Sequence, residues 1–282
     1  MNDAGIANPD STSVTVDFPL RDHIGHGNAD QLHSTEELTT SHLPVDVDEI
    51  FTREGGLSYR SIDQLIHNPD LVKQLREDLE NFKKYGSIGK GQVTIEFSTT
   101  QDLKDALNQK GLTTVMSELA IKPVSIATIL GDEFRLVGAN TQGKLISTRG
   151  WNGFFQTLTD DQSGRQVELS EFQIETRLGD STEIVTEFLN DMVGNTPAFV
   201  QTMKDRDDKN VYSIQWSDGD RSFTLNTKSF DKADSLALAS SVLDQYRLLA
   251  HEGWKTPYFL DPSNPLHRLA IQRDQQRVKP LR

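Results

Sequence analysis

The sequence predicts an α+β fold: antiparallel strands with packed helices, preceded by an extended or disordered acidic N-terminal arm. Segments of alternating hydrophobicity and segments of helical periodicity follow one another between residues 91 and 251. A strong hairpin signal, Asp218-Gly219, joins two of the strand-like segments. Nineteen of the 21 aromatic residues lie between 57 and 260, so we expect the hydrophobic core to be built there.

Residues 1–56 form the predicted arm. They hold 11 acidic and 2 basic side chains, a net charge of −9, and only two aromatic residues, which is too little for a core. Their apolar residues are nevertheless grouped, and the first group alternates with polar residues as in a strand. We predict that both groups bind by adding to the edge of a sheet, either on this subunit or on a neighbour. The predicted partner-binding residues are Val14, Val16, Phe18, Leu20, Val45, Val47, Ile50 and Phe51.

A helical segment is predicted between residues 57 and 86. Ser61 and Gln64 have the spacing of a capping box, and Asn68-Pro69-Asp70 places a cap, a proline and an acidic residue in the order of a helix start. Gly86 is the expected end. The apolar positions between them recur at helical spacing: Leu71, Val72, Leu75, Leu79 and Phe82. We therefore expect an amphipathic helix that packs on a larger body.

The body is expected to extend over 57–260, with 57–150 and 151–260 as two candidate subdomains. The predicted strands are 93–97, 133–137, 144–148, 167–176, 211–216 and 221–227, and the predicted helices are 101–110, 180–193 and 231–251. The strands 133–137 and 144–148 are expected to form a hairpin across Gly138–Gly143. Trp151, Phe154 and Phe155 surround a predicted tight turn, where they form either a cluster at the core edge or an exposed patch for a protein partner.

The C-terminal segment 261–282 is a predicted tail with prolines near its start. From residue 262 onward it carries a net charge of +4, opposite in sign to the arm. Opposite charges at the two ends allow the tail of one subunit to meet the arm of another, although simple solvation of both ends explains the pattern equally well.

Metal and redox chemistry find little support in the sequence. The absence of cysteine excludes disulfides, thiolate catalysis and cysteine-based metal sites. His23, His26 and His33 are the candidate metal ligands, but their spacing matches no established ligand pattern and glycines surround them. We predict no metal and no cofactor.

The hairpin at 211–227 and the helix after it resemble the small sheet-plus-helix DNA-binding modules of phage-type integrases. The resemblance covers about 40 residues and concerns residue classes, with Trp216, Phe223 and the Asp218-Gly219 turn as its main features. It implies that the outer face of the hairpin enters the major groove, with Arg221, Lys228 and Gln215 contacting DNA. The other outward positions are polar but uncharged: Ser213, Ser217, Ser222, Thr224 and Asn226. Few cations and a net charge of −13 argue against nucleic acid as the main partner.

No linear catalytic motif is present; neither a phosphate-binding loop nor a nucleophile elbow occurs. We expect a non-enzymatic structural or adaptor component of a larger assembly, such as a phage virion or a secretion machine, whose partners are protein subunits that include copies of itself. A DNA-binding regulatory module at 211–249 is one alternative, and an effector-type enzyme with scattered carboxylate or histidine residues is another. No signal peptide or apolar span is found, so we expect no membrane insertion and a cytoplasmic or assembly-associated location.

Overall fold

The structure, a computed structural model, describes residues 57–65, 69–88, 111–146, 150–174, 182–205 and 207–251. The predicted arm, the predicted tail, the strand at 93–97 and the helix at 101–110 lie outside the described residues, as do His23, His26 and His33. Among the described residues, no helix combines the length and the apolar character needed to span a bilayer.

The described elements alternate as expected for a sheet-rich α+β protein. In chain order they are β1 (Leu57–Arg60), a 3-10 helix (Ile62–Gln64), α1 (Pro69–Tyr85), α2 (Leu112–Ser117), α3 (Ile126–Leu130), β2 (Arg135–Ile146), β3 (Gly150–Asp160), β4 (Arg165–Gln173), β5 (Thr182–Val185), a second 3-10 helix (Thr186–Phe188), β6 (Asp191–Val193), β7 (Thr196–Lys204), β8 (Asn210–Asp218), β9 (Arg221–Lys228) and α4 (Lys232–His251). The prediction of an antiparallel sheet with packed helices is confirmed.

Seven strands form one antiparallel sheet in the order β2-β3-β4-β9-β8-β7-β6. The sheet joins two meanders, because β4 of the first pairs with β9 of the second. The predicted hairpin is β8–β9, in which Asp218 pairs with Arg221 and Gly219 takes a positive φ of 62°. Glycine tolerates this backbone conformation, as the turn requires.

One face of the large sheet, which we call the helix face, is covered by α4 and by residues 111–130. Ile214, Trp216, Phe223 and Leu225 on the central strands belong to the same buried cluster as the apolar side of α4. Polar contacts fix the helix as well: the Arg247 guanidinium binds the Asp218 carboxylate at 2.9 Å. Burial of these side chains, at about 1.5–3 kcal/mol each, is the main stabilisation of this layer.

The opposite face is partly covered by a smaller layer made from α1 and a two-stranded parallel sheet, β1–β5. Phe199 of β7 anchors this layer, because its ring lies 5.0 Å from the Phe82 ring of α1 and 5.5 Å from the Phe188 ring. Helix α1 starts at Pro69 and is followed by Gly86 with a φ of 73°, as its sequence signals predict. The Ser61 backbone N–H donates to Gln64 Oε1 at 2.9 Å, which confirms the capping box.

Two predicted elements are wrong. The helix predicted at 180–193 is absent, and this range instead contains β5, a 3-10 turn and β6. The hairpin predicted across Gly138–Gly143 is a single long strand, β2, whose register shifts at Val137 and at Gly143-Lys144 are bulges against β3.

The turn predicted at 151–155 is also wrong, because these residues lie within β3. Phe154 is fully buried and Trp151 packs against the same core cluster. These two rings therefore belong to the core, the first of the two interpretations above.

Candidate functional site

A cavity of about 350 Å³, which we call the cleft, lies between the large sheet and the smaller layer. This volume is at the lower end of the range for binding pockets. Its floor is the face of the large sheet opposite α4, and its roof is β5 with the 3-10 turn that follows. The floor residues are Ser170, Phe172, Pro197, Phe199, Gln215, Ser217, Ser222 and Thr224, and the roof residues are Thr182, Glu183, Ile184, Val185, Phe188 and Leu189.

The centre of the floor is polar but uncharged. Gln215 and Thr224 are directly opposite each other on β8 and β9, and neither side chain has a hydrogen-bond partner in the part of the chain that the structure describes. The next pair along the hairpin, Ser217 and Ser222, is hydrogen-bonded to itself at 2.7 Å between the two hydroxyl oxygens. The floor therefore offers two free neutral groups at its centre, an amide and a hydroxyl.

Apolar side chains border this polar centre on both sides. Phe172 and Phe199 lie on the floor, on β4 and β7, and Phe188 belongs to the roof. An apolar lining with a few neutral hydrogen-bonding groups favours non-covalent binding of an uncharged or apolar group.

The roof presents the edge of a strand to the cleft. All four residues of β5 line the cavity, although successive side chains of a strand point to opposite faces. None of the residues of β1 lines it, so the cavity lies towards the edge of β5 that β1 does not occupy. Within the described ranges β5 pairs with β1 alone, which leaves that edge without a strand partner.

A bulge in β2 forms one end of the cleft, and Asn152 of β3 holds it through hydrogen bonds. Asn152 Oδ1 accepts a hydrogen bond from the Lys144 backbone N–H at 2.6 Å, and Asn152 Nδ2 donates to the Gln173 carbonyl at 2.8 Å. Gly143 stands inside the bulge with a φ of +77°, and a Cβ there would clash with Asn152 Oδ1. Glycine is therefore required on both conformational and steric grounds.

The charged groups of the cleft are few and lie apart from its centre. Lys144 belongs to the exposed part of the rim, and Glu183 forms an ion pair of 3.1 Å with Arg60. Among the described residues, no group of three histidine or acidic side chains has a geometry that would hold a metal ion.

A second polar cluster lies on the helix face of the sheet, inside the core. Glu171 is fully buried; its carboxylate accepts the Val124 backbone N–H and one Arg221 guanidinium N–H, both at 2.8 Å. Burial raises the pKa of Glu171 to about 7, while Arg221 and the Val124 N–H act in the opposite direction. The pair joins β4, β9 and the segment before α3, which is a structural role.

The residues proposed for DNA contact are separated by the structure. Arg221 is 4% exposed and is bound to Glu171 on the helix face, so it is not available to a phosphate. Lys228 forms a 2.6 Å ion pair with Asp205 and its side chain is 18% exposed. Gln215 lies on the cleft floor. The eight predicted partner-binding residues of the arm lie outside the described residues.

The sequence predicted the polar face of the β8–β9 hairpin, which forms the floor, but it did not predict a cleft above that face. The hairpin positions predicted to be polar and outward do share one face, since Ser213, Gln215 and Ser217 pair with Asn226, Thr224 and Ser222. The roof was missed because residues 180–193 have a helical pattern. The open edge of β5 has no signal in the local sequence.

Comparisons with known proteins add no identification. No family model matches the chain, and no curated protein matches it. The chain is similar to the solution structure of Chr148 from Cytophaga hutchinsonii, with 10% sequence identity over 55% of this chain and 90% of that chain. The TM-score of 0.18 is too low to support an argument about fold or function.

Proposed function

We propose that this protein is a non-enzymatic component of a larger protein assembly and that the cleft is one of its protein-binding sites. The observation that supports the proposal is the composition of the cleft: an apolar, aromatic border around free neutral groups on Gln215 and Thr224, below the open edge of β5. Such a surface can bind main-chain amides and apolar side chains together, which is what an extended protein segment presents.

The arm supplies the other half of the contact in this proposal. Its apolar groups, Val14–Leu20 and Val45–Phe51, are the segments that dock on neighbouring subunits. They become ordered on binding, so that backbone pairing provides affinity and the alternating side chains provide specificity. The partners are protein subunits, including further copies of this chain.

Light scattering of the full-length chain over a range of concentrations tests the proposal. We expect a mass above the 31.6 kDa of one chain that rises with concentration. A variant with Val14, Val16, Phe18 and Leu20 changed to Ser should remain at the mass of one chain, because it lacks the apolar side chains that are buried on docking. Thr15→Ser with Asp17→Asn, at the alternate positions of the same segment, is the matched control and should assemble as the unmodified protein does.

Two results would contradict the proposal. A full-length chain that stays at 31.6 kDa at every concentration would refute self-assembly. Equal assembly by the serine variant and the matched control would refute docking through the arm.

A further inference from the structure

We propose that the cleft binds residues 14–20 of a second copy of this chain, added as a strand to the open edge of β5. The inference rests on the proposed function, because it names the contact through which copies would assemble. Three observations support it: the acceptor edge, the pattern of the donor segment and the place where the arm joins the body.

The acceptor is a strand edge above a floor that can receive side chains. The backbone edge of β5 that faces the cleft has no strand partner among the described residues, so its N–H and C=O groups can pair with an added strand. Alternate side chains of that strand would point towards the floor, where Phe172 and Phe199 border Gln215 and Thr224.

The donor segment has the matching pattern. Val14, Val16, Phe18 and Leu20 share one face of an extended strand, and their backbone groups share one edge of it. Pro19, which has no N–H, belongs to the opposite edge. The strand edge formed by the backbone groups of the four apolar residues therefore keeps all of its N–H donors. A segment that pairs through this edge has its four apolar side chains on one face of the strand.

The arm joins the body one strand away from the cleft. Leu57, the first described residue, is the register partner of Thr182, and Thr182 lines the cleft. Residues 21–56, 36 in number, separate the donor segment from Leu57, and a random coil of that length would span roughly 30–36 Å on average. Two copies with facing clefts can thus exchange arms, which gives two identical contacts in a closed two-fold dimer.

Cysteine cross-linking tests the contact directly, because the natural chain contains no cysteine. One full-length sample carries Val16→Cys and the other Thr224→Cys; they are mixed at low concentration, concentrated together and oxidised. We expect a disulfide between the two different variants, identified by mass spectrometry, with a yield at least fivefold above the control mixture. The control pairs Val16→Cys with Ser241→Cys, which is exposed on α4 at the other side of the sheet.

Each alternative result would overturn the inference. A yield equal to the control would mean that residues 14–20 do not enter the cleft. A double variant, Val16→Cys with Thr224→Cys, that forms its disulfide only within one chain would assign the cleft to the protein's own arm. Preferential capture of Thr224→Cys by Ile95→Cys would assign it to the strand predicted at 93–97.

Failure of this inference can be distinguished from failure of the proposed function. Light scattering of the unmodified chain reports assembly whichever surfaces are in contact. An oligomer without the Val16–Thr224 cross-link would refute the strand addition alone, and a monomer at every concentration would refute both.

Discussion

Raising the pH from 5 to 8 should destabilise the protein through one buried carboxyl group, that of Glu171. The group is fully buried on the helix face and is hydrogen-bonded to Arg221 and to the Val124 backbone. Its desolvation outweighs these two favourable interactions, so its pKa rises from an ordinary value of 4.5 to about 7. The folded protein consequently retains a proton that the unfolded chain releases above pH 4.5.

The sign and the size of the effect follow from this difference in pKa. Between pH 4.5 and 7 the folded state binds more protons than the unfolded state, so the free energy of unfolding falls as the pH rises. Above pH 7 both states have lost the proton and the contribution is constant. One pKa unit corresponds to about 1.4 kcal/mol, so the loss between pH 5 and pH 8 amounts to about 2–3 kcal/mol.

Urea unfolding of the wild type and of Glu171→Gln at pH 5, 6, 7 and 8 measures this contribution. Glutamine has the shape of the protonated carboxyl group, so the variant should match the wild type within about 1 kcal/mol at pH 5 and exceed its stability at pH 8. The difference between the two proteins cancels the titration of all other groups. The reasoning would be refuted if the variant were less stable at pH 8 by about 3–5 kcal/mol, the usual cost of breaking a buried ion pair that is favourable in its ionised form.

Two further predictions concern the cleft rim and the core. Gly143→Ala should lose at least about 1 kcal/mol more stability than Gly164→Ala in urea unfolding, because both glycines have a positive φ, +77° and +71°, but only at Gly143 would a Cβ meet Asn152 Oδ1; equal losses would show that the bulge adapts. Phe223→Ala should cost about 3–5 kcal/mol, since the ring is 2% exposed and stacks at 5.0 Å on Trp216; a loss below 1 kcal/mol would contradict the assigned packing.

The elements that could be predicted from the sequence carry their own local signals. Helix α1 has a proline and an acidic residue at its start and Gly86 after its end. The β8–β9 hairpin is specified by the Asp218-Gly219 turn, and α4 follows from Asp231, whose carboxylate accepts the Asp234 backbone N–H at 2.7 Å. Each signal acts within a few residues, so no tertiary information is needed to recognise it.

The range 180–193 was mispredicted because its structure depends on distant partners. Asp180 and Glu183 have the spacing of a helix start, yet Glu183 lies in a strand that pairs with β1, more than 120 residues earlier in the chain. Tertiary pairing and the burial of Val185 and Phe188 against Phe199 outweigh a local preference worth less than about 1 kcal/mol per residue. The cleft was missed for the same reason, since its roof is made from this range.

The cleft face and the helix face of the large sheet differ in a way that supports a binding role for the former. A face that is always exposed to water can carry charges at no cost, and a face that is always buried is mainly apolar, as the helix face is at Ile214 and Leu225, with its charges paired as in Glu171–Arg221. The central pairs of the cleft face are Gln215 with Thr224 and Ser217 with Ser222, which are neither charged nor apolar. Neutral hydrogen-bonding groups lose no ionic hydration when a partner covers them. A floor on which Gln215 and Thr224 stay partly exposed beside the buried Ser217–Ser222 pair therefore suits a surface that a protein segment can cover.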